Sequence, residues 1–187
     1  MIDGRGRNID YIRISVTDRC NLRCVYCMPE EGVESISHER ILRFQEIVRI
    51  VRILAAKGIR KIKLTGGEPL VRKGIAELIA ELKQIEGIEN VTITTNGVLL
   101  EEMYDELVDA GLDAITVSLD TLNREIFQQM TRRDEAERVK RGIEKAIREN
   151  RVPLKINCVP VLGWEEQQLE DLLDFARIHK VHIRLLR

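Results

Sequence analysis

The 187-residue sequence is short of the features that mark secreted, membrane-spanning and nucleic-acid-binding proteins. Its 30 basic and 31 acidic residues leave a net charge of −1, so no global basic field favours nucleic acid or an anionic membrane. No apolar run approaches the roughly 20 residues that a membrane-spanning helix needs. Residues 1–7 are polar and lack the apolar core of a signal peptide. We therefore expect a cytoplasmic protein.

Cysteine is also too scarce for a disulfide framework. Three of the four cysteines lie within eight residues, and the fourth, Cys158, stands alone in an apolar segment. This distribution favours a reducing compartment, and Cys158 is expected to be a buried, inert residue. The sequence shows neither a persuasive catalytic triad nor a pair of carboxylates.

Short β-branched segments alternate with long amphipathic segments, without a linker, and we predict a single domain over residues 1–187. Strands are predicted at Tyr11–Val16, Lys61–Leu64, Val91–Thr95, Ala114–Ser118, Leu154–Cys158 and His182–Leu186. Helices are predicted near residues 38–57, 74–86, 99–110, 134–149 and 165–180, the first capped by Ser37. The predicted fold is α/β, with a parallel sheet that forms a partial (β/α)6 TIM-like barrel, truncated at the sixth strand.

Six strands do not close an eight-stranded barrel, so we expect an open edge and a lateral gap. An uncovered strand edge is prone to association. A C-terminal domain, a partner chain or a homodimer contact is expected to cover it.

Polar and glycine-rich segments follow four of the predicted strands. The first strand leads to the clustered cysteines, the second to residues 65–69, the third to residues 95–97 and the fourth to residues 118–120. Parallel α/β sheets bind their ligands at the carboxyl ends of the strands. We therefore predict one functional site at this edge of the sheet.

The most specific motif is the C-x₃-C-x₂-C spacing of Cys20, Cys24 and Cys27. Three thiolates leave a tetrahedral metal site one ligand short, whereas a structural zinc site normally has four protein ligands. A zinc knuckle completed by His38 or by another distant ligand is one interpretation. The position directly after a first strand favours the other, an iron–sulfur cluster with one iron open to an outside ligand.

The segment Gly66-Gly67-Glu68 also has two interpretations. It is a tight turn, in which glycine supplies a positive φ, or it is a close approach of the backbone to a ligand. In the second case Glu68 accepts hydrogen bonds from a ligand ammonium.

Three cations, Arg13, Lys63 and Lys155, lie on predicted core strands, where charge is costly unless it is paired or faces a cavity. They indicate either internal salt bridges or a polyanionic ligand such as a triphosphate. Arg132 and Arg133, by contrast, are interpreted as solvated loop charge.

Together these motifs resemble the radical S-adenosylmethionine (radical SAM) superfamily, and more narrowly the GTP 3′,8-cyclase family of molybdenum cofactor biosynthesis. The matching segments are residues 13–29, 64–69, 94–97, 118–122 and 155–157. The resemblance implies that Cys20, Cys24 and Cys27 hold a 4Fe–4S cluster and that SAM chelates its open iron.

The resemblance also implies an activity. An electron donor reduces the cluster, SAM is cleaved to a 5′-deoxyadenosyl radical, and GTP becomes (8S)-3′,8-cyclo-7,8-dihydroguanosine 5′-triphosphate. The residues implied as SAM contacts are Tyr26, Gly67 and Ser118. Those implied as GTP contacts are Arg13, Lys63, Thr94 and Lys155. No side chain is implied as a catalytic acid or base, which agrees with the absence of a triad.

The sequence departs from the family pattern in two ways. Lys63 stands where the family usually has arginine, so the planar fork that grips phosphate is lost. A second cysteine trio, which the family uses to bind a further cluster that contacts the guanine, is missing, and Cys158 does not replace it. We expect a fragment or a naturally short relative with weak or absent GTP cyclisation. Two alternatives are another radical SAM enzyme that acts on a peptide or a different nucleotide, and a non-catalytic metal-binding or electron-transfer module.

Overall fold

The computed structural model describes residues 2, 4–32, 37, 40–161 and 165–186, with residues 165–167 described by their backbone alone. The strands of this part of the chain are β1 (Tyr11–Ser15), β2 (Lys61–Thr65), β3 (Asn90–Thr95), β4 (Ala114–Ser118), β5 (Leu154–Cys158) and β6 (His182–Leu185). The helices are α1 (Phe44–Ala56), α2 (Ile75–Lys83), α3 (Leu100–Asp109), α4 (Arg124–Thr131), α5 (Ala136–Glu149) and α6 (Glu165–His179).

The strands form one six-stranded sheet in the order β1-β2-β3-β4-β5-β6, and every neighbouring pair is parallel. This confirms the predicted α/β architecture, and the ends of the predicted strands differ from the observed ones by at most one residue. No helix in the described ranges is both long enough and apolar enough to cross a membrane.

The two faces of the sheet differ in chemistry because successive strand residues point to opposite sides. One row is apolar and fully buried against the helices, with Ile62, Leu64, Ile93, Ile115 and Ile156 at 0% exposure. Burying each such side chain contributes about 1.5–3 kcal/mol. The alternate row forms what we call the polar face, which includes Arg13, Lys63, Thr92, Thr94, Thr116, Lys155 and Arg184.

The start of α1 was predicted wrongly. The helix begins at Phe44 rather than near residue 38, and its N-cap is Arg43 rather than Ser37. The backbone N–H of Arg43 donates to the Glu46 carboxylate at 2.7 Å. This contact gives a partner to a backbone donor at the start of the helix. His38 lies outside the described residues.

The sequence analysis also missed α4, a helix of eight residues. Only Ile126, Phe127 and Met130 are apolar within it, so its periodicity is too short to detect. The Asn123 side chain caps it by accepting from the N–H groups of Glu125 and Ile126, at 2.9 and 3.1 Å. This helix is important because its carboxyl end contacts the cysteine segment.

Candidate active site at the carboxyl edge of the sheet

The cysteine loop, which we define as residues 16–28, packs directly on the turn after β2. Gly67 N–H donates to Thr17 O, and Glu68 N–H donates to Arg19 O, both at 2.7 Å. A Cβ on Gly66 would lie 2.5 Å from Thr17 O, closer than side-chain carbons approach, and one on Gly67 would collide with the Arg19 carbonyl. The glycine pair is therefore more than a turn, because it lets the cysteine loop lie against β2.

The carboxyl end of α4 holds the other half of the cysteine loop. The last carbonyls of a helix lack partners inside the helix. Here Met130 O accepts from Val25 N–H at 2.8 Å, and Thr131 O accepts from Arg23 N–H at 2.9 Å. The cysteine loop thus completes the end of the helix, and the helix in turn fixes the loop.

Arg132, which follows α4, adds a side-chain clamp. Its guanidinium donates to Arg23 O at 2.9 Å and to Met28 O at 3.1 Å, so it joins two points of the cysteine loop. The interpretation of Arg132 as solvated loop charge was therefore wrong. Its backbone φ of 55° is left-handed, a conformation that side chains other than glycine and asparagine rarely adopt.

The three clustered cysteines are free thiols that lie within electrostatic range of one another. Cys20 and Cys24 are half-buried and Cys27 is exposed. Burial, together with the nearby Cys20 and Cys27, raises the pKa of Cys24 to about 11. Burial likewise raises the pKa of Cys20. Thiols held in the neutral form must lose their protons when they bind a metal.

The donor set of the cysteine loop fits a thiolate-bound iron–sulfur cluster. Three unpaired thiols lie on one short segment that is fixed at both ends. A cluster places its protein ligands on different irons, so its thiolates do not converge on one point. Within the described ranges, no three His, Cys, Asp or Glu side chains are placed to hold a single metal ion.

Glu68 ties the end of β2 to the end of β3. Its carboxylate is 1% exposed and accepts from Thr95 Oγ1 at 2.7 Å, Asn96 N–H at 2.6 Å and Leu70 N–H at 3.0 Å. Burial raises its pKa, and these hydrogen bonds oppose that shift. The predicted contact between Glu68 and a ligand ammonium was wrong, because the carboxylate faces the protein interior.

The sequence analysis assigned no role to Asn96, although it recognised the segment that contains it. The Asn96 side-chain amide donates to Asn21 Oδ1 at 2.7 Å and lies 3.7 Å from the sulfur of Cys20. It therefore links the end of β3 to the first predicted metal ligand. Its position directly after a strand, at the predicted edge, was the only signal available in the sequence.

Tyr26 and Asp120 connect the cysteine loop to β4 and β5. The Tyr26 hydroxyl donates to Asp120 Oδ2 at 2.5 Å, while Asp120 Oδ1 accepts from Val159 N–H at 2.8 Å. Burial raises the pKa of Asp120, and the hydrogen bond from Tyr26 counteracts this. Ser118 lies at the exposed end of β4, two residues before Asp120. The three predicted SAM contacts, Tyr26, Gly67 and Ser118, thus come from the cysteine loop, the loop after β2 and the end of β4.

The four residues predicted to bind a polyanion lie on the polar face. Arg13 is the register partner of Lys63, while Thr94 pairs with Thr116, which pairs with Lys155. The Lys63 ammonium lies 3.5 Å from Thr116 Oγ1. The sheet therefore brings cations from β1, β2 and β5 to one surface.

Arg184 on β6 joins this group and was missed. Burial lowers the pKa of Lys63, and the positive charges of Arg13, Lys155 and Arg184 lower it further. No ion pair among the described residues involves any of these four cations. The interpretation as internal salt bridges is therefore not supported in this part of the chain. A cluster of repelling cations favours an anionic ligand instead.

The fold and this edge of the sheet define a class of protein. The sequence profile of the Radical SAM superfamily matches residues 14–176, and the chain belongs to this superfamily. Among solved structures, Streptococcus suis SuiB bound to S-adenosylmethionine has a TM-score of 0.76 and 20% identity, covering 94% of this chain and 40% of SuiB. The structure of anSMEcpe with bound AdoMet has a TM-score of 0.75 and 17% identity, covering 94% and 49%. These similarities confirm the predicted partial (β/α)6 TIM-like barrel.

The curated relatives are more specific. A GTP 3′,8-cyclase of Syntrophomonas wolfei is 46% identical over 186 residues, which is 100% of this chain and 57% of the relative. A GTP 3′,8-cyclase of Desulforamulus reducens is 47% identical over 189 residues, with the same coverage of 100% and 57%. The chain therefore spans a little over half the length of these relatives.

Proposed function

We propose that this chain is the radical SAM portion of a GTP 3′,8-cyclase, folded as one domain over residues 1–187. The observation that carries the proposal is that one sheet holds two groups of candidate site residues. The free-thiol loop follows β1, and four cations that form no ion pair with another described residue share the polar face of the same sheet. The names of relatives at 46% and 47% identity support the same substrate class.

In this proposal Cys20, Cys24 and Cys27 hold a 4Fe–4S cluster. With SAM bound, the cluster would supply one-electron radical chemistry directed at C3′ of GTP. The protein contributes position and charge rather than acid or base catalysis. Tyr26, Gly67 and Ser118 orient SAM at the cysteine loop, and the hydrogen bond to Asp120 ties the Tyr26 hydroxyl to the segment that follows β4.

The polar face receives the triphosphate. Arg13, Lys63 and Lys155 approach from three strands, and Thr94 adds a hydroxyl between them. Binding the polyanion removes the mutual repulsion that lowers the pKa of Lys63, so ligand binding and protonation of Lys63 support each other. Arg184 adds a fourth cation from β6, the last strand of the sheet.

The test starts with anaerobic reconstitution. The chain is expected to bind about four irons, to change its electron paramagnetic resonance spectrum when SAM is added, and to form 5′-deoxyadenosine with dithionite. Zinc uptake without cluster formation would contradict the proposal.

Substrate class is tested separately by calorimetry with GTP. Arg13→Ala and Lys155→Ala are each expected to weaken binding about tenfold, because each removes one charge-assisted contact. Lys57→Ala, which removes an exposed cation at the end of α1, serves as the matched control. Equal GTP binding by all three variants would exclude GTP as the ligand of the polar face. A peptide substrate would then become the better candidate.

A further inference from the structure

The sulfur of Cys20 accepts hydrogen bonds from two different parts of the chain. The backbone N–H of Leu22 lies 3.4 Å from Cys20 Sγ, and the side-chain amide of Asn96 lies 3.7 Å from it. The first donor belongs to the cysteine loop itself, whereas the second comes from the segment that follows β3. A neighbouring strand end therefore supplies a donor to the first predicted metal ligand.

Three other contacts fix the orientation of the Asn96 side chain. Its Oδ1 accepts from Val98 N–H at 3.0 Å, its Nδ2 donates to Asn21 Oδ1 at 2.7 Å, and its backbone N–H donates to Glu68 at 2.6 Å. An asparagine side chain has one acceptor oxygen and two donor hydrogens. Because Val98 N–H can only donate, the amide oxygen faces Val98, and the hydrogen that Asn21 leaves is directed to Cys20.

The two ends of the Asn96 amide serve different parts of the molecule. The oxygen closes a local turn between β3 and α3, which an aspartate or a serine could also do. The printed contacts of the NH₂ group, with Cys20 and Asn21, both lie in the cysteine loop. The local turn therefore does not explain why this side chain carries an amide rather than a carboxylate.

A donor at a ligand sulfur acts on the charge of that sulfur. A thiolate bound to iron is negative, and a hydrogen bond to a charged acceptor is stronger than one to a neutral acceptor. Reduction adds negative charge to a cluster, so N–H donors at its thiolates favour the reduced form. Such hydrogen bonds are among the factors that set the reduction potentials of iron–sulfur clusters.

We propose that Asn96 is a positioning residue that holds Cys20 and raises the reduction potential of the cluster bound there. This rests on the proposed function, in which Cys20 is one of three cluster ligands. One electron passes from an outside reductant to the cluster. The Asn96 amide transfers neither a proton nor a group, and it makes the reduction more favourable by stabilising the sulfur of Cys20.

The test is a redox titration of the reconstituted chain, followed by electron paramagnetic resonance. Asn96→Ser and Asn96→Asp both keep an oxygen for Val98 N–H, and both lose the amide donor. Each variant is expected to lower the reduction potential. The larger shift is expected for Asn96→Asp, which adds a negative charge, and it corresponds to a decrease of about tenfold in the equilibrium constant for reduction, or about 59 mV for one electron.

Asn90→Asp is the matched control. Asn90 is the first residue of β3, so the variant adds the same charge roughly 20 Å away along the strand. Its potential is expected to equal that of the unchanged chain, because salt screens charges at this distance. Equal shifts in Asn90→Asp and Asn96→Asp would overturn the proposal. An unchanged potential in Asn96→Ser would also overturn it, because only the added charge would then matter.

The contact itself is tested on the metal-free chain by heteronuclear NMR. Cys20→Ala removes the sulfur and is expected to shift the side-chain amide signals of Asn96. Cys27→Ala removes an exposed thiol of the same loop and is expected to leave these signals in place. Unchanged Asn96 signals in Cys20→Ala would overturn the assignment of the donor.

The proposed function and the role of Asn96 fail in different ways. A chain that binds no cluster would overturn the proposed function, and the role of Asn96 in reduction with it. Normal cluster loading and 5′-deoxyadenosine formation, with equal reduction potentials in all the Asn96 variants, would overturn the role of Asn96 alone.

Discussion

At the scale of single residues, the sheet and its carboxyl edge carry charge in two opposite ways. Glu68 is buried with three hydrogen-bond donors around its carboxylate, which is how a structural charge is stabilised. Lys63 is half-buried among other cations, and the only hydrogen bond of its ammonium to a described residue is with Thr116. The first arrangement is complete without a ligand, whereas the second leaves like charges close together, as the proposed anion site requires.

Glu68→Gln is expected to destabilise the metal-free chain by about 1–3 kcal/mol, because an amide cannot accept at both of its ends. In the variant, the NH₂ group of the glutamine would face a donor in either orientation: the N–H of Asn96, or the Thr95 hydroxyl and the N–H of Leu70. Urea unfolding gives the free-energy change. Glu81→Gln, an exposed change on α2, is the control, and equal stability of the two variants would disprove the structural role of Glu68.

Lys63→Arg is expected to change the pH dependence of GTP binding. The pKa of Lys63 lies below its ordinary value, so the side chain loses its charge, and GTP binding weakens, as the pH rises toward the usual lysine range near 10. Arginine remains charged throughout. Calorimetry between about pH 7.5 and 9.5 should show a smaller loss of affinity for the variant. Protonation of GTP affects both proteins equally, so it cancels in the comparison. Parallel plots of GTP affinity against pH would contradict the expectation.

At the scale of secondary structure, α4 is the element that holds the cysteine loop in place. Its last carbonyls accept from the loop, and Arg132 clamps the same segment from the next position. Replacing Arg132 by glycine removes the side-chain clamp and also relieves the left-handed backbone strain. The variant therefore tests the clamp without adding backbone strain.

Arg132→Gly is expected to keep the free energy of unfolding within about 1 kcal/mol, because glycine tolerates φ of 55°. The loss of two hydrogen bonds should nevertheless increase hydrogen exchange in residues 23–28 about tenfold. Lys180→Gly relieves a similar φ of 54° after α6 and should leave these residues protected. Unchanged exchange in Arg132→Gly would show that the clamp is dispensable.

At the scale of the whole molecule, the sheet has two edges among the described strands. β1 pairs only with β2 and β6 only with β5, so each leaves one side of its backbone unpaired by another described strand. Unpaired strand edges promote association between chains. Leu185 on β6 adds an apolar side chain that is 46% exposed.

We therefore expect concentration-dependent self-association of the chain, measurable by sedimentation velocity. Leu185→Lys should reduce it, because lysine on an edge strand opposes pairing. Ile178→Lys replaces a more exposed apolar residue on helix α6, which has no unpaired strand backbone, and is expected to have little effect. Equal effects of the two variants would indicate non-specific hydrophobic association.

The sequence by itself determined the strands, most of the helices, the cysteine spacing and the edge of the sheet where the site lies. These features depend on the periodicity of short segments and on residues that are close together in the chain. The alternation of strands and helices then decided that their carboxyl ends meet. For the same reason Arg13, Lys63 and Lys155 could be singled out as cations on core strands before the register was known.

Only the tertiary structure decided which side chains meet across the edge. The Tyr26–Asp120 contact joins residues 94 positions apart, and the Arg132–Arg23 contact spans 109. In one of the two interpretations Glu68 faced a ligand, but its carboxylate points to the interior, because its direction depends on Thr95 and Asn96 of the neighbouring strand end. Such contacts depend on strand order and register, which no local pattern encodes.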